Sequence, residues 1–375
     1  MKDLEGILVV TLEQAVAAPY ASNLLAESGA RVIKIERAEG DFARNYDHVV
    51  NGESAYFVWL NRGKESVCLD VKDPDDREVL FAMLKQADVF IQNLRAGAVS
   101  DIGLDYESLK SLNPQLIMCS ISGYGEAGPY AKMKAYDLLV QAESGLSSVT
   151  GTADGPARVG ISLCDISTGM TAYSAILRSL IKRSISKTGT YIKVSLFDVI
   201  ADWMNVPLLH KEYAGVDTPR VGMNHASIAP YGMYPTGDGK GVVFSIQNER
   251  EWKVFCKGVL GDESLASDER FVSISKRVEN RALLDEIIVN IFSNHEQKEL
   301  MELLLNNNIA CGRLNSLEDV LSHPQRRSVT VDSPNGPINL TASGVVINND
   351  PPVSLPVPGL GEHTDSVKAE FKKNK

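Results

Sequence analysis

Gly6-Ile7-Leu8-Val9-Val10-Thr11 and Val32-Ile33-Lys34-Ile35-Glu36 frame the first part of the chain. Both are short apolar runs rich in β-branched residues, so each reads as a strand buried on both faces. Between them, Tyr20 to Glu27 carries a helical spacing that stops near Gly29. Strand, helix and strand within roughly thirty residues make a βαβ unit. The same alternation continues outward. Ser66 to Asp70, Asp88 to Gln92 and Leu116 to Ser122 read as strands. Asp75 to Gln86 reads as an amphipathic helix with Val79, Leu80, Met83 and Leu84 on one side. The expected class is α/β with a parallel sheet, and such sheets bind ligands at the carboxyl ends of their strands.

Further along, Tyr191 to Leu196 reads as a strand and Phe197 to about Tyr213 as one long helix. From Ala214 the period is lost among Gly, Pro and Asn, which reads as a linker. A hairpin follows, with Asp238-Gly239 as its turn between Tyr231–Tyr234 and Val242–Ile246. Helical stretches come next at 251–260, 277–293 and 297–306, and β-like pieces begin near Pro324. The layout expected is a large domain over 1–213, a linker over 214–226, a smaller α+β domain over 227–321, and a C-terminal return over 322–375.

The chain has 375 residues, 44% hydrophobic and 23% charged, with a net charge of -10. That balance argues against non-specific nucleic-acid binding. Cys68, Cys119, Cys164, Cys256 and Cys311 form no CxxC pair, and four of them lie in apolar runs, which suits buried thiols in a reducing cytoplasm. Met1-Lys2-Asp3-Leu4-Glu5 does not read as a signal peptide, and no apolar run is long enough for a bilayer. The six histidines show no metal-ligand spacing, so no metal is expected.

Two stretches could carry chemistry. Gly123-Tyr124-Gly125-Glu126-Ala127-Gly128 matches GxGxxG after a strand, but Pro129 follows and helical spacing resumes only near Tyr136. A dinucleotide loop must open directly into a helix, so NAD binding is not expected. The second stretch runs from Arg158-Val159-Gly160-Ile161-Ser162-Leu163-Cys164 to Asp165 and Met170. An apolar run of β character ends on one carboxylate, and Met170, Tyr173, Leu177 and Leu180 then recur at helical spacing. Asp165 therefore starts a helix. It is read either as an N-cap or as a carboxylate nucleophile kept ionised by the helix dipole. Strand alternation would point Cys164 away from it, as packing.

Taken together and in order, several landmarks resemble the family III coenzyme A transferases, which include formyl-CoA transferase and carnitine CoA-transferase. They are Gln14-Ala15-Val16-Ala17-Ala18-Pro19, Val32 to Arg37, Asn61-Arg62-Gly63-Lys64, Leu69-Asp70-Val71-Lys72, Asn93-Leu94-Arg95, Gly123-Tyr124-Gly125 with Gly128-Pro129, Lys134-Ala135-Tyr136-Asp137 and the Asp165 segment. Leu12 to Pro19, Gly40 to Arg44 and Asn224 to Gly232 are similar to the branch that uses succinyl-CoA with itaconate, mesaconate or citramalate. The resemblance implies a Rossmann-like large domain, a small domain and an interlocked homodimer, with acyl-CoA and a small carboxylic acid as partners. A CoA thioester is then a substrate, and no permanently bound cofactor is implied.

Carried over by residue, the resemblance assigns Asp165 as the nucleophile. It assigns CoA contacts to Val16, Ala17, Arg37, Leu69, Lys72, Asn93, Leu94, Arg95, Lys134 and Tyr136. Where formyl-CoA transferase has a phosphate-contacting arginine, this chain has Asp101. Arg44 is a candidate clamp for a second carboxylate, because Arg binds carboxylates bidentately. His225 is a candidate on the substrate side. The loops 123–128 and 236–241 could offer N–H groups to an oxyanion, though turn chemistry explains both. The competing activities are an α-methylacyl-CoA racemase and a non-catalytic CoA binder. A racemase needs two bases, and Tyr136 stands where racemases carry histidine.

Overall fold

In the computed structural model, residues 2–95 and 97–373 are described. The elements in chain order are β1 (Leu8–Leu12), α1 (Ala17–Glu27), β2 (Arg31–Glu36), α2 (Ala55–Asn61), β3 (Lys64–Cys68), α3 (Pro74–Gln86), β4 (Val89–Gln92), α4 (Ala98–Asp101), α5 (Tyr106–Leu112), β5 (Ile117–Ser122), α6 (Asp137–Glu143), α7 (Leu146–Val149), β6 (Gly151–Thr152), β7 (Gly155–Pro156), α8 (Leu163–Ser186), β8 (Thr190–Ser195), α9 (Leu196–Trp203) and α10 (Asn205–Ala214). There follow β9 (Tyr231–Pro235), β10 (Gly241–Ser245), α11 (Glu249–Gly258), α12 (Ile274–Glu279), α13 (Arg281–Phe292), α14 (Gln297–Asn306), β11 (Ala310–Arg313), α15 (Leu317–Leu321), β12 (Ser328–Val331), β13 (Ile338–Thr341) and α16 (Thr364–Lys373).

The chain divides into two compact units. One comprises residues 1–147, 158–206 and 327–375, the other 148–157 and 207–326. The 214–226 segment lies within the second.

In the first unit a six-stranded sheet runs in the order β3-β2-β1-β4-β5-β8. Every pair in it is parallel. Val9 lies between Val32 and Val89, and the strands are buried on both faces, which accounts for their unbroken apolar runs. The order reverses between β1 and β4, so the residues just past those two strands open a crevice. One face of the sheet packs against α3 and α16. Val10, Ile33, Val67 and Phe90 meet Val79, Leu80 and Met83, with Val367 and Phe371 from the last helix.

On the other face lie α1 and α8. Gly169 makes their approach possible, because a Cβ there would sit 2.6 Å from the Ala17 carbonyl oxygen. The second unit has an antiparallel sheet, β11-β10-β9, over a core of Trp252, Phe255, Phe244 and Phe292. Arg277 is fully buried there, bonded to Glu249 at 2.7 Å and to the Ala229 and Phe271 carbonyls.

Three local expectations are corrected. Residues 158–162 form no strand, because Gln141 takes both the N–H and the carbonyl of Val159 and no sheet partner is left. Cys164 is thus in the first turn of α8, buried rather than alternating on a strand. The long helix expected over 197–213 breaks at Met204 into α9 and α10. Pro207 cannot donate an N–H, so the helix cannot run through unbroken. Three cysteines are buried, while Cys68 and Cys311 are half-buried. Among the described residues, no helix is long and apolar enough to cross a membrane.

Candidate active site

The crevice at the sheet's switch point is built from short segments tied to one another by side chains. Asn93, just past β4, accepts the Gln14 N–H at 2.9 Å and donates to the Gln14 carbonyl at 2.8 Å. Ala15 takes a left-handed φ of 63°. A non-glycine residue is held there only by its surroundings, here the bond from its N–H to Asp41 Oδ1 at 3.1 Å. Val16 then caps α1 with no side chain satisfying the helix start. The first N–H groups of α1 are therefore left for a ligand.

Beneath this loop lies a buried ionic cluster. Lys34 of β2, with no exposed surface, bonds Asp41 at 2.8 Å and lies 3.6 Å from Glu13. Lys64 bonds Glu13 at 2.7 Å, the Pro19 carbonyl and Asn61. Glu36 accepts two bonds from Arg44, at 2.9 and 2.7 Å, one from Ser66 and one from the Asp41 N–H. Burial works against each charge, but the partners prevail at the carboxylates. Lys64 and Lys34 hold Glu13 below its usual value, and Arg44, Lys34 and Ser66 hold Glu36 at about 2. At Lys64 burial prevails and the ammonium comes down to about 8.

Asp165 stands in the first turn of α8, whose N-cap is Ser162. It is not itself the cap. Asp137, first residue of α6, caps the helix from outside: its Oδ1 accepts the Cys164 N–H at 2.7 Å and the Asp165 N–H at 3.3 Å. Its other oxygen accepts the Gln141 amide at 2.6 Å, and Gln141 holds Val159. Among the described residues no side chain donates to the Asp165 carboxylate. Burial, and after it the Asp137 charge, push its pKa up to about 7. A desolvated carboxylate with free oxygens is a competent nucleophile once ionised.

Asp165 lines a cavity of about 660 Å³, as do Val16, Ala17, Asn93, Leu94, Arg95, Lys134 and Tyr136. Arg37 and Lys72 lie exposed and Leu69 buried outside that lining. Arg44 is corrected. Its Nε and Nη2 both bond Glu36, its Nη1 donates to the Pro358 carbonyl at 3.4 Å, and its plane lies 3.6 Å over the Phe57 ring, so it is not a free clamp. Asp101 pairs with Arg95 at 2.9 Å. His225 belongs to the second unit, where it stacks on Tyr231 at 5.3 Å and accepts the Ser227 N–H.

The 236–241 turn spends its Thr236, Gly237 and Gly239 N–H groups on its own unit, which fits plain turn chemistry. Gly123 does line the cavity. A Cβ there would lie 2.1 Å from that of Ala135, so only glycine lets the two segments meet. The GxGxxG loop opens into no helix before Asp137, so it lacks the dinucleotide geometry.

Sequence reading missed Tyr46, Tyr56, Ser162 and Arg158, all in the cavity wall. Tyr46 and Tyr56 meet edge to face at 5.5 Å, and the Tyr56 hydroxyl is 3.3 Å from Ser162 Oγ. Arg158 and Ser162 fall in the stretch quoted with Asp165, but nothing in it marked them as site residues, and Tyr46 and Tyr56 carried no signal at all.

An ionisable carboxylate facing a cavity at the carboxyl edge of a parallel sheet, beside an uncapped helix start, is a site suited to acyl transfer. Comparison with known proteins gives the class its name. The model of CoA-transferase family III matches residues 4–364. A succinate–glutarate CoA-transferase of Agrobacterium fabrum is 34% identical, over 98% of this chain and 96% of its own. An acetyl-CoA:oxalate CoA-transferase of Acetobacter aceti is 33% identical, over 98% and 95%. Among solved structures, a CAIB/BAIF family protein from Brucella suis superposes with a TM-score of 0.86 at 33% identity, covering 99% of both chains. This chain belongs to CoA-transferase family III and is an enzyme of that family.

Proposed function

We propose that the chain moves CoA from succinyl-CoA to a small dicarboxylic acid, with Asp165 as the nucleophile. The observation that carries this is the Asp165 carboxylate, unpartnered on its oxygens, desolvated and lining the cavity next to the open start of α1. Relatives named for succinate, glutarate and oxalate support the acid class.

An Asp165 oxygen attacks the thioester carbonyl. The C–S bond breaks, and an aspartyl–succinyl anhydride and CoA thiolate form. The thiolate then attacks the Asp165 carbonyl of the anhydride, releasing succinate and leaving an aspartyl-CoA thioester. The acceptor carboxylate attacks that thioester, the thiolate leaves again, and its attack on the acceptor's carbonyl frees Asp165 with a new CoA ester. The thioester energy is carried through, provided water is kept from the anhydride. In this reading Val16, Ala17, Asn93, Leu94, Arg95, Lys134 and Tyr136 hold the CoA arm. Arg37 and Lys72 serve its distal phosphates from the neighbouring strand ends, with Leu69 as buried packing beneath them.

Assembly as an interlocked homodimer is part of the proposal. Ile181 and Ile185 on α8 are 67% and 82% exposed, and Trp203 on α9 is 55% exposed, more apolar surface than a lone chain usually leaves in water. Size-exclusion chromatography with light scattering should give twice the chain mass.

The activity is tested with succinyl-CoA and a panel of glutarate, itaconate, mesaconate, citramalate and formate, the CoA esters being identified by mass. Exchange onto at least one dicarboxylate, lost in Asp165→Ala, is the expected result. Near-normal exchange by that variant would remove Asp165 from the reaction.

A further inference from the structure

A dicarboxylic acyl group brings a second carboxylate into a cavity that already holds those of Asp137 and Asp165. Like charges at close range repel, so a cation must face the incoming group. Arg44 is committed to Glu36, and Arg95 to Asp101. Arg158 is differently placed. It lines the same cavity as Asp165, and among the described residues it pairs with no carboxylate. Among the described residues its guanidinium donates to two backbone carbonyls beside it, Val159 at 3.1 Å and Gly160 at 3.3 Å. Such bonds are readily exchanged for stronger, charge-assisted ones.

Its backbone is anchored where it matters. Gln141 grips Val159 through both N–H and carbonyl, and Gln141 in turn donates to Asp137, which caps the helix carrying Asp165. The arginine and the nucleophile are thus indexed to a single carboxylate. We infer that Arg158 reads the second carboxylate of the dicarboxylic acyl group and so sets the enzyme's preference for diacids. The cavity's lysines, Lys132 and Lys134, are point charges suited to phosphate, whereas only an arginine presents a planar fork to a carboxylate.

This inference rests on the dicarboxylate reading of the preceding subsection, and the experiment separates the two. Exchange of labelled succinate with succinyl-CoA and of labelled butyrate with butyryl-CoA is measured for the wild type, Arg158→Gln and Arg158→Lys. The acyl chains are equal in length and differ in the terminal carboxylate. In Arg158→Gln, succinyl exchange should fall roughly 100-fold and butyryl exchange stay within about threefold, with Arg158→Lys between. If butyryl exchange is too slow to follow, the KM for succinate serves. It should rise about 100-fold in Arg158→Gln at unchanged melting temperature. Equal loss on both substrates, or an unchanged succinate KM, overturns the role of Arg158. A wild type that exchanges no dicarboxylate at all overturns the earlier reading instead.

Discussion

Asp165 and Asp137 are two carboxylates with divided tasks. Asp137 spends its oxygens on the N–H groups of α8 and on Gln141, whereas Asp165 keeps its own free. Tyr46, Tyr56, Tyr136 and Arg158 are among the other polar groups around the same cavity. If Asp165 is the nucleophile, as proposed, it must be ionised to attack, and exchange should rise with pH through a limb near 7. Asp137→Asn keeps an acceptor for the helix start but removes the charge, so the limb should move to lower pH in a pH–kcat profile. Stability follows the opposite sense. Folding raises this carboxyl from 3.8 to about 7, so its contribution is full below about 3.8 and is lost as pH rises through 7. Asp165→Asn should therefore melt higher than the wild type at pH 8, by up to about 4 kcal/mol, with little difference at pH 4. The sequence pointed to Asp165 because a lone carboxylate preceded a strong helical period. It hid the division of labour, since the cap comes from a residue 28 positions away. It misled at Arg44 for a related reason. A spare arginine and a paired one look alike until Glu36 is seen beside it.

The strand ends and the helix contact set the cavity's shape. The β2 stretch reads as apolar and β3 only as a short strand, yet Lys34, Glu36, Lys64 and Ser66 on them form the buried platform under the 13–17 loop. Glu36 illustrates its cost and its value. Folding lowers its pKa from 4.5 to about 2, so it stabilises above pH 4.5 and that stability is lost as pH falls toward 2. Glu36→Gln should remove about 3 kcal/mol of it at neutral pH and leave a shallower acid-unfolding curve, read by circular dichroism. Gly169 tests the packing of α8 on α1. Gly169→Val forces a side chain against the Ala17 carbonyl, and should cost about 1–3 kcal/mol and weaken CoA ester binding, measured by calorimetry. Periodicity located these helices to within a few residues but gave no hint of their contact, because a glycine in a helix looks like a defect until its neighbour is known.

At the scale of the whole chain, the strand–helix alternation was enough to name a parallel sheet, and the order β3-β2-β1-β4-β5-β8 bears that out. What alternation could not convey is that the first unit is assembled from three separate stretches. The final stretch, 327–375, returns to it with β12, β13 and α16. Phe371 and Val367 enter the same core as Val79 and Met83. A chain ended at Arg326 should therefore fail to give a cooperative thermal transition, where the full chain gives one by calorimetry. The return also sets a schedule for biosynthesis. The helix that seals the first-made part of the sheet is synthesised only after the whole second unit, so until then the nascent sheet keeps part of one apolar flank bare. A chaperone that shields exposed apolar surface should therefore raise the yield of folded chain on refolding.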